Sequence, residues 1–432
     1  MISTKAKGVE PQPELRGAGR TSAVSHLSAL KPAEISFLLG LLSQLKDGAA
    51  PAFPSDCDAG LLWEYVERHG LGGVLGACAD RIAGLPPALA EAARHRYWSN
   101  CLHGQRARQC CAVLIEAGRR LGVTVFFVKG LALAEQAYGD EGLRGFSDLD
   151  VFTGSADEAR RLAQACAARV LIDSEEQDLC REIKDSGRLL VELGGWPVEI
   201  RFPVPGWNGP LFDLFPGGRL PELVWTANGL PVPNAEWHFM FLLYHQMIHH
   251  FFGRFIWFLD LAVLQGSERA SLNWGRVMAE ADRLSMREAL AAAAGFCRRH
   301  VDADFPDVPL LAAAPWNRAF IRHLVKPEVV AASGRNTQQI AAARVAWAML
   351  HGMTSYLLLA DAPAVGSLWR GRGGQWTEAR VRCVLTRRWK GDWGNRLGSS
   401  LAMPMPVFLY LLARLLAWLP STKDQSYGKA HK

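Results

Sequence analysis

Residues 123–153 read VTVFFVKGLALAEQAYGDEGLRGFSDLDVFT, and this stretch decides the fold of the chain around it. It opens on a short run rich in Val and Phe, which is typical of a buried strand. The turn Lys129-Gly130 follows, then a predicted short helix at 131–138, and residues 149–153 are predicted to form a second strand. The stretch therefore predicts a strand–helix–strand unit whose second strand begins with two aspartates, two residues apart.

The composition of the whole chain is that of a globular protein. Of its 432 residues, 49% are apolar and 21% are charged, and this length suggests two or three domains. The net charge of +6 favours acidic partners such as nucleotides, membrane surfaces or nucleic acid, without choosing among them. The nine cysteines are scattered and include no CxxC pair, and the N-terminus lacks an apolar signal segment. We therefore expect a reduced, cytoplasmic protein without a structural zinc site.

Changes in composition and periodicity divide the chain into five regions. Residues 1–25 have the Pro, Gly and Ser content of a disordered tail, and residues 26–121 show the helical spacing of apolar side chains. Residues 122–234 contain the predicted strands, and residues 235–330 are predicted to be helices that pack on them. Residues 331–432 are predicted to be helical and basic.

The last region contains two segments suited to an anionic surface. Residues 369–390 carry seven basic side chains and one acidic one, a pattern typical of a solvated surface, a nucleic-acid contact or a lipid contact. Residues 401–419 approach the length of a membrane span, but two prolines and an arginine interrupt them. We expect a packed or interfacial helix there, and peripheral membrane contact is a hypothesis for both segments.

A tight β-hairpin is predicted around Gly194 and Gly195, because strand-like runs flank this two-residue turn. So short a turn pairs Leu190 with Glu199. Side chains alternate along a strand, so Glu199 and Arg201 share one face while the apolar residues around them share the other. The hairpin therefore presents a carboxylate and a guanidinium side by side.

Asp148 and Asp150 are the leading candidates for chemistry. Side chains two apart on a strand point to the same face, so both carboxylates can converge on one cation. Two carboxylates with open positions suit Mg²⁺, with Mn²⁺ as the alternative ion. A third carboxylate from a neighbouring strand would complete a site for two ions, and Glu199 is the best placed to supply it. Alone, the pair is unspecific, since solvated or turn-capping aspartates show the same spacing.

Lys129, Gly130, Arg144 and Ser147 are the candidates for binding a nucleotide. Lys129 and Gly130 lie where a buried strand meets a helix, so backbone N–H groups can receive phosphate oxygens there. Arg144 lies in a glycine-flanked loop, from which its guanidinium can fork onto phosphate oxygens. The alternative is that Lys129 extends into solvent and Arg144 only pairs with Asp148.

The segments VKG and LRGFSDLDV, with a tyrosine between them, resemble the uncharacterised nucleotidyltransferase family of the polymerase-beta-like superfamily. Members of that family carry Lys-Gly and then Arg-x-x-x-Asp-x-Asp, and the resemblance extends over roughly residues 30–300. It implies an α+β fold with a small mixed β-sheet nucleotidyltransferase core, flanked by N-terminal and C-terminal helical regions. It also implies an enzyme that uses a nucleoside triphosphate.

The resemblance implies that Asp148, Asp150 and Glu199 bind metal and carry the catalysis. An acceptor hydroxyl would attack the α-phosphate while two Mg²⁺ ions stabilise the attacking and leaving oxygens. Glu199 would orient the acceptor or take its proton. Arg201 departs from the family, which has a histidine at this position. The acceptor is left open: it can be a sugar, a small metabolite, a protein side chain or an RNA end.

Residues 235–265 predict a strongly apolar helical region, which follows a long connecting loop at 203–233. His245 and His249 stand four residues apart on one helix face, the spacing of a zinc-binding pair. Glutamine replaces the glutamate that should follow the first histidine of a metalloprotease motif, which disfavours that chemistry. A buried core pair and a wall of the nucleotide pocket are the remaining interpretations.

The resemblance extends to this region, because the family has a His-rich helix that ends in Trp-x-x-Asp. The corresponding residues here are His245, His249, Trp257 and Asp260. An aspartate in so apolar a helix needs a partner. Arg254 or one of the two histidines is the nearest candidate in the sequence. Asp260 is predicted, together with the two histidines, to form part of the wall of the nucleotide pocket.

Two other functions stay open. A glycosyltransferase can use Asp-x-Asp to hold a nucleotide sugar through Mn²⁺, but that fold needs alternating strands and helices before the motif, where this chain is almost entirely helical. A non-catalytic nucleotide-binding or scaffold protein would keep the fold and lose turnover, and Arg201 makes this conceivable.

Overall fold

The chain has an α+β fold, as its sequence predicts. The computed structural model describes residues 30–46, 50–173, 187–203, 219–246, 252–267, 272–284, 286–308, 322 and 325–332. The predicted tail at 1–25, the basic segment at 369–390 and the apolar segment at 401–419 lie outside the described residues. Nearly all of the predicted C-terminal region does as well.

Within the described residues, four α-helices precede the sheet. They are α1 (Pro32–Leu42), α2 (Ala59–Arg68), α3 (Gly72–Cys78) and α4 (Pro87–Leu121). The helical pattern of α4 predicts either a helix pair or one long helix, and the structure has a single helix of 35 residues. Gly122 ends it in the left-handed region at φ 65°, a conformation that glycine adopts without steric cost.

Five strands form one mixed sheet with the order β1-β2-β5-β4-β3. They are β1 (Phe126–Val128), β2 (Leu149–Phe152), β3 (Arg169–Asp173), β4 (Arg188–Leu193) and β5 (Trp196–Arg201). Strands β2 and β5 are parallel, and the other neighbours are antiparallel. The small mixed sheet that the family resemblance implies is therefore confirmed.

The connections between strands are partly structured. After β1 the chain forms the short helix α5 (Gly130–Leu133), which continues as a π-helical turn (Ala134–Tyr138), and α6 (Ala156–Ala165) follows β2. The segment predicted as a long loop contains a second, two-stranded sheet of β6 (Leu223–Trp225) and β7 (Pro231–Pro233). That prediction was wrong because proline argues against a strand in sequence analysis, and β7 begins and ends with proline.

Five helices follow within the described residues. They are α7 (Ala235–Tyr244), α8 (Phe255–Gly266), α9 (Trp274–Arg283), α10 (Arg287–His300) and α11 (Pro327–Ala332). Helices α7 and α8 are separate, which corrects the prediction of one helical region. Apolar residues are frequent in both helices and recur between them, so the hydrophobic pattern alone does not show where one helix stops.

The sheet separates two hydrophobic cores. On one face, apolar side chains of β2, β4 and β5 pack with α4 and α6; on the other, Phe126 and Phe152 pack with α7 through Trp237 and Phe241. Alternation along β2 then places Asp150 on the α7 side of the sheet, together with Phe152. Among the described helices, none is both long and apolar enough to cross a membrane.

Candidate active site

Strand register brings three carboxylates together at the α7 side of the sheet. Asp150 of β2 lies directly beside Glu199 of the parallel strand β5, and Asp148 immediately precedes β2. One oxygen from each of the three side chains lies within 4.8 Å of the others. The hairpin of β4 and β5 has the predicted register, with Leu190 opposite Glu199. The sequence therefore predicted both the shared face of the aspartates and the third acidic neighbour.

Asp150 is the most buried member of this cluster, with 5% of its surface exposed against 8% for Glu199. Burial raises the pKa of its carboxyl, the charge of Lys129 opposes that shift, and the nearby Asp148 and Glu199 add to it. Lys129 Nζ lies 2.7 Å from Asp150 Oδ1, and Arg201 Nε lies 3.8 Å from the same oxygen. Two cations therefore share one buried carboxylate oxygen.

Glu199 is held by two arginines from the hairpin. Arg201 Nη2 lies 2.9 Å and Arg188 Nη1 lies 3.5 Å from Glu199 Oε1. Burial opposes ionisation of this carboxyl, but Arg201, Lys129 and Arg188 outweigh that effect and lower its pKa. Glu199 is therefore a stable carboxylate that accepts charged contacts on one oxygen.

The turn at Lys129 has a strained backbone. Lys129 adopts φ 55° and ψ −152°, a conformation that side chains other than glycine rarely take. Its N–H donates to His238 Nε2 at 3.1 Å, and His238 Nδ1 lies 2.5 Å from Gln136 Oε1. These contacts fix the tautomer with the proton on Nδ1. Burial, assisted by the charge of Lys129, lowers the pKa of His238 to about 3 and keeps the ring neutral.

Gly130 completes the turn at φ 27°, where a β-carbon would lie 3.2 Å from the side chain of Phe146. The Lys129 side chain points inward from this turn, so the alternative that it extends into solvent is wrong. Its Nζ reaches His245 Nε2 at 3.3 Å as well as Asp150. Lys129 thus lies between α7 and the carboxylates.

Arg144 forms a buried ion pair with Asp260 of α8. Its Nε and Nη2 donate to the two oxygens of Asp260 at 2.8 and 3.0 Å, and the Tyr138 hydroxyl donates to the same carboxylate at 2.7 Å. Burial opposes the charge on Arg144, but Asp260 outweighs it and raises the pKa of the guanidinium. The interpretation that Arg144 pairs with Asp148 is wrong.

Asp260 accepts its hydrogen bonds from Arg144 and Tyr138, whereas its position in the sequence had suggested Arg254 or a histidine. The true partner lies 116 residues away, and no local pattern points to it. Asp260 is 1% exposed and lies behind Arg144, away from the cleft wall. His249 lies outside the described residues, so the predicted histidine pair is not described as a pair.

The carboxylates open into a cleft of about 460 Å³, which is a size typical of small-molecule sites. The predicted residues that line it are Lys129, Gly130, Arg144, Ser147, Asp148, Asp150, Glu199 and His245. The sequence did not predict the other lining residues, which are Gly70, Gly145, Phe146, Arg201, Arg254, Ile256 and Trp257. Two of them had a signal in the sequence: Arg201 lies two residues from Glu199 on the same strand face, and Trp257 belongs to the Trp-x-x-Asp motif of the family resemblance.

Comparison with known proteins identifies the family. A family model described as uncharacterised nucleotidyltransferase matches residues 55–302, more than half of the chain. The chain belongs to this family. The nucleotidyltransferase family that the Lys-Gly and Asp-x-Asp motifs predicted is thus confirmed, and so is the prediction of an enzyme of this class.

This nucleotidyltransferase was also compared with curated proteins and with solved structures. No curated protein matches it. Among solved structures, it is similar to the solution structure of the antibiotic-resistance factor ANT(2'')-Ia, at 12% sequence identity and a TM-score of 0.29. The similar region covers 46% of this chain and 100% of that one.

The carboxylates of this nucleotidyltransferase fit a divalent cation. Their oxygens are the hard donors that Mg²⁺ and Mn²⁺ prefer, and they lie within 4.8 Å of one another. Within the described residues, the buried Asp150 Oδ1 accepts no hydrogen bond of good geometry, although Lys129 Nζ is 2.7 Å away. A metal ion at this oxygen would therefore replace the contact with Lys129.

Proposed function

We propose that this nucleotidyltransferase moves a nucleoside monophosphate from a nucleoside triphosphate to an acceptor hydroxyl, releases pyrophosphate and depends on Mg²⁺. The observation that supports the proposal best is the convergence of Asp148, Asp150 and Glu199 at one end of a strand pair, in a cleft also lined by basic side chains. Carboxylates suit the metal ion and basic side chains suit the triphosphate, so the same cleft can bind both the ion and the triphosphate.

Lys129 is proposed to bind phosphate oxygens. In the structure its ammonium contacts Asp150 at 2.7 Å and His245 at 3.3 Å. An arriving triphosphate offers several negative oxygens, so Lys129 can exchange its contact with Asp150 for a phosphate contact. The exchange would leave both oxygens of Asp150 free to bind the metal. Substrate binding and metal binding would then support each other.

Asp148 and Asp150 would hold the metal, and Mn²⁺ fits the same donors. When bound, the metal supplies neutralisation of the charge that develops on the reacting phosphate and lowers the pKa of a bound hydroxyl. Glu199 remains ionised between Arg201 and Arg188. That state suits orienting an acceptor hydroxyl better than removing its proton, because a lowered pKa makes a weaker base.

Arg144 is proposed to shape the cleft as well as to contact a nucleotide. Its buried pair with Asp260 fixes the loop that leads into the aspartates, and the guanidinium still lines the cleft. Ser147 is exposed at the cleft beside Asp148, where its hydroxyl can donate to a phosphate oxygen.

We also propose a cytoplasmic location, since the cysteines of the described residues are free thiols and suit a reducing compartment.

The reaction class can be tested with two labels. The protein is incubated with Mg²⁺, a size-fractionated cell extract as the source of acceptors, and each nucleoside triphosphate labelled at either the α- or the γ-phosphate. Nucleotidyl transfer moves the α-label into an acceptor fraction and leaves the γ-label in pyrophosphate. Appearance of the γ-label in the acceptor would show phosphoryl transfer and contradict the proposal. Nucleotide binding without transfer of either label would support the non-catalytic alternative.

A further inference from the structure

We propose that Arg201 takes the place of a second divalent cation, so that the cleft holds one divalent ion, at Asp148 and Asp150, for each bound nucleoside triphosphate. The inference rests on the proposed function and deepens it, because it assigns a number of ions and a role to one residue. It also corrects the two-ion mechanism that the family resemblance implies.

The position of the guanidinium carries the inference. A second ion shared by the carboxylates would have to lie between Asp150 and Glu199, which are neighbours across β2 and β5. Arg201 lies there: its Nη2 is 2.9 Å from Glu199 Oε1 and its Nε is 3.8 Å from Asp150 Oδ1. A divalent ion bound to the same two oxygens would meet a positive group at contact distance.

Arg201 cannot easily give way to such an ion. Its side chain is 12% exposed, and its Nε is buried without a hydrogen bond of good geometry among the described residues. A guanidinium does not lose its proton in proteins, so repulsion by an arriving ion cannot be relieved by neutralisation. Moving it away would remove the 2.9 Å contact of Glu199 Oε1 and leave the longer one to Arg188, at 3.5 Å.

The charge of the cluster leads to the same number of ions. The carboxylates of Asp148, Asp150 and Glu199 carry three negative charges, and the positive charges of Lys129 and Arg201 neutralise two of them. One divalent ion already reverses the remaining charge. A second would leave the buried part of the cleft strongly positive before any phosphate is counted, and burial makes such an excess costly.

Arg188 provides a matched control. It also contacts Glu199 Oε1, but at the longer distance of 3.5 Å and with a side chain that is 42% exposed. If a cation near Glu199 were enough to exclude a second ion, removing either arginine would raise the number of bound ions. If the position between two carboxylates is what excludes it, only removing Arg201 will raise that number.

The number of bound ions tests the inference without an activity assay. Bound Mn²⁺ is counted by equilibrium dialysis with the α,β-methylene analogues of the four ribonucleoside triphosphates, and the electron paramagnetic resonance spectrum is recorded. Two Mn²⁺ ions about 3.5–4 Å apart, the separation of two-metal sites, give a spin-coupled signal that a single ion lacks. We expect one uncoupled ion in the wild type, in Arg201→Lys and in Arg188→Ala.

Removing the charge of Arg201 should admit the second ion. We expect Arg201→Ala and the closer-shaped Arg201→Gln to bind two ions with a coupled signal, and circular dichroism identifies which variants fold. Two coupled ions in the wild type would overturn the inference and leave the proposed function intact. One ion in a folded Arg201→Ala or Arg201→Gln variant would also overturn it. Absence of nucleotide-dependent Mn²⁺ binding in the wild type would refute the proposed function itself, and this inference with it.

Discussion

The buried pair of Arg144 and Asp260 should make a large contribution to stability that depends on both partners. Asp260 is 1% exposed and accepts hydrogen bonds from Arg144 and from Tyr138. Asp260→Ala leaves the Arg144 guanidinium buried without its counter-charge. Breaking one side of such a pair typically costs about 3–5 kcal/mol. We therefore expect the free energy of unfolding to fall by about that amount, and by a similar amount for Arg144→Ala.

The double variant separates the ion pair from the cost of truncation. Once Asp260 is absent, removing Arg144 takes away an unpaired buried charge, so the double variant should be no less stable than either single variant. The coupling energy should then be about 3 kcal/mol, at the upper end of values for residues in direct contact. Urea unfolding followed by circular dichroism measures all four proteins, with an unchanged m-value as the check that the same transition is compared.

The control for this cycle is an ion pair on the surface. Glu192 of β4 pairs with Arg169 of β3 at 2.7 Å, and the side chains are 36% and 68% exposed. Glu192→Gln should change the free energy of unfolding by less than about 1 kcal/mol, as exposed pairs do. Additive effects of Arg144→Ala and Asp260→Ala, or a loss no larger than that of the control, would refute the reasoning.

Two further predictions concern pH. Burial lowers the pKa of both His69 and His238 from 6.5 to about 3. Below pH 6.5 these rings are therefore protonated in the unfolded chain but stay neutral in the native chain. The free energy of unfolding falls as the pH is lowered from 6.5 to about 3, by up to about 1.4 kcal/mol per pH unit for each ring. His238→Gln should flatten the pH dependence of the urea midpoint, and an unchanged slope would contradict this. Lys129 opposes the raised pKa of Asp150. Lys129→Met should therefore move the loss of Mn²⁺ binding on acidification to higher pH, whereas an unchanged midpoint in a Mn²⁺ titration would show that Lys129 does not act on this carboxylate.

The local geometry of the site could be predicted from the sequence. Alternation along a strand fixes that Asp148 and Asp150 share a face, and a two-residue turn fixes which residue lies opposite Glu199. Both rules act over a few residues and need no knowledge of the tertiary fold. The register of the hairpin and the acidic cluster are therefore the parts of the structure that agree best with the predictions.

The long-range contacts could not be predicted in the same way. Arg144 and Asp260 are 116 residues apart, and His238 supports the backbone of Lys129 from 109 residues away. Neither contact has a sequence pattern, because each depends on how α7 and α8 pack against the sheet. The exchange of histidine for Arg201 was visible in the sequence, but its position between two carboxylates required the pairing of β2 with β5.

The rate of pyrophosphate release tests most directly whether this cleft carries out nucleotidyl transfer. The wild type is compared with Asp150→Asn, which keeps the shape of the side chain and removes its charge, and with Glu192→Gln, whose side chain is 36% exposed, pairs with Arg169 and is not among the residues that line the cleft. We expect Asp150→Asn to lose at least about 10²-fold in rate, the magnitude typical of a lost electrostatic contact to the reacting group. Glu192→Gln should retain the wild-type rate. Equal rates for Asp150→Asn and the wild type would contradict the assignment of the reaction to these carboxylates.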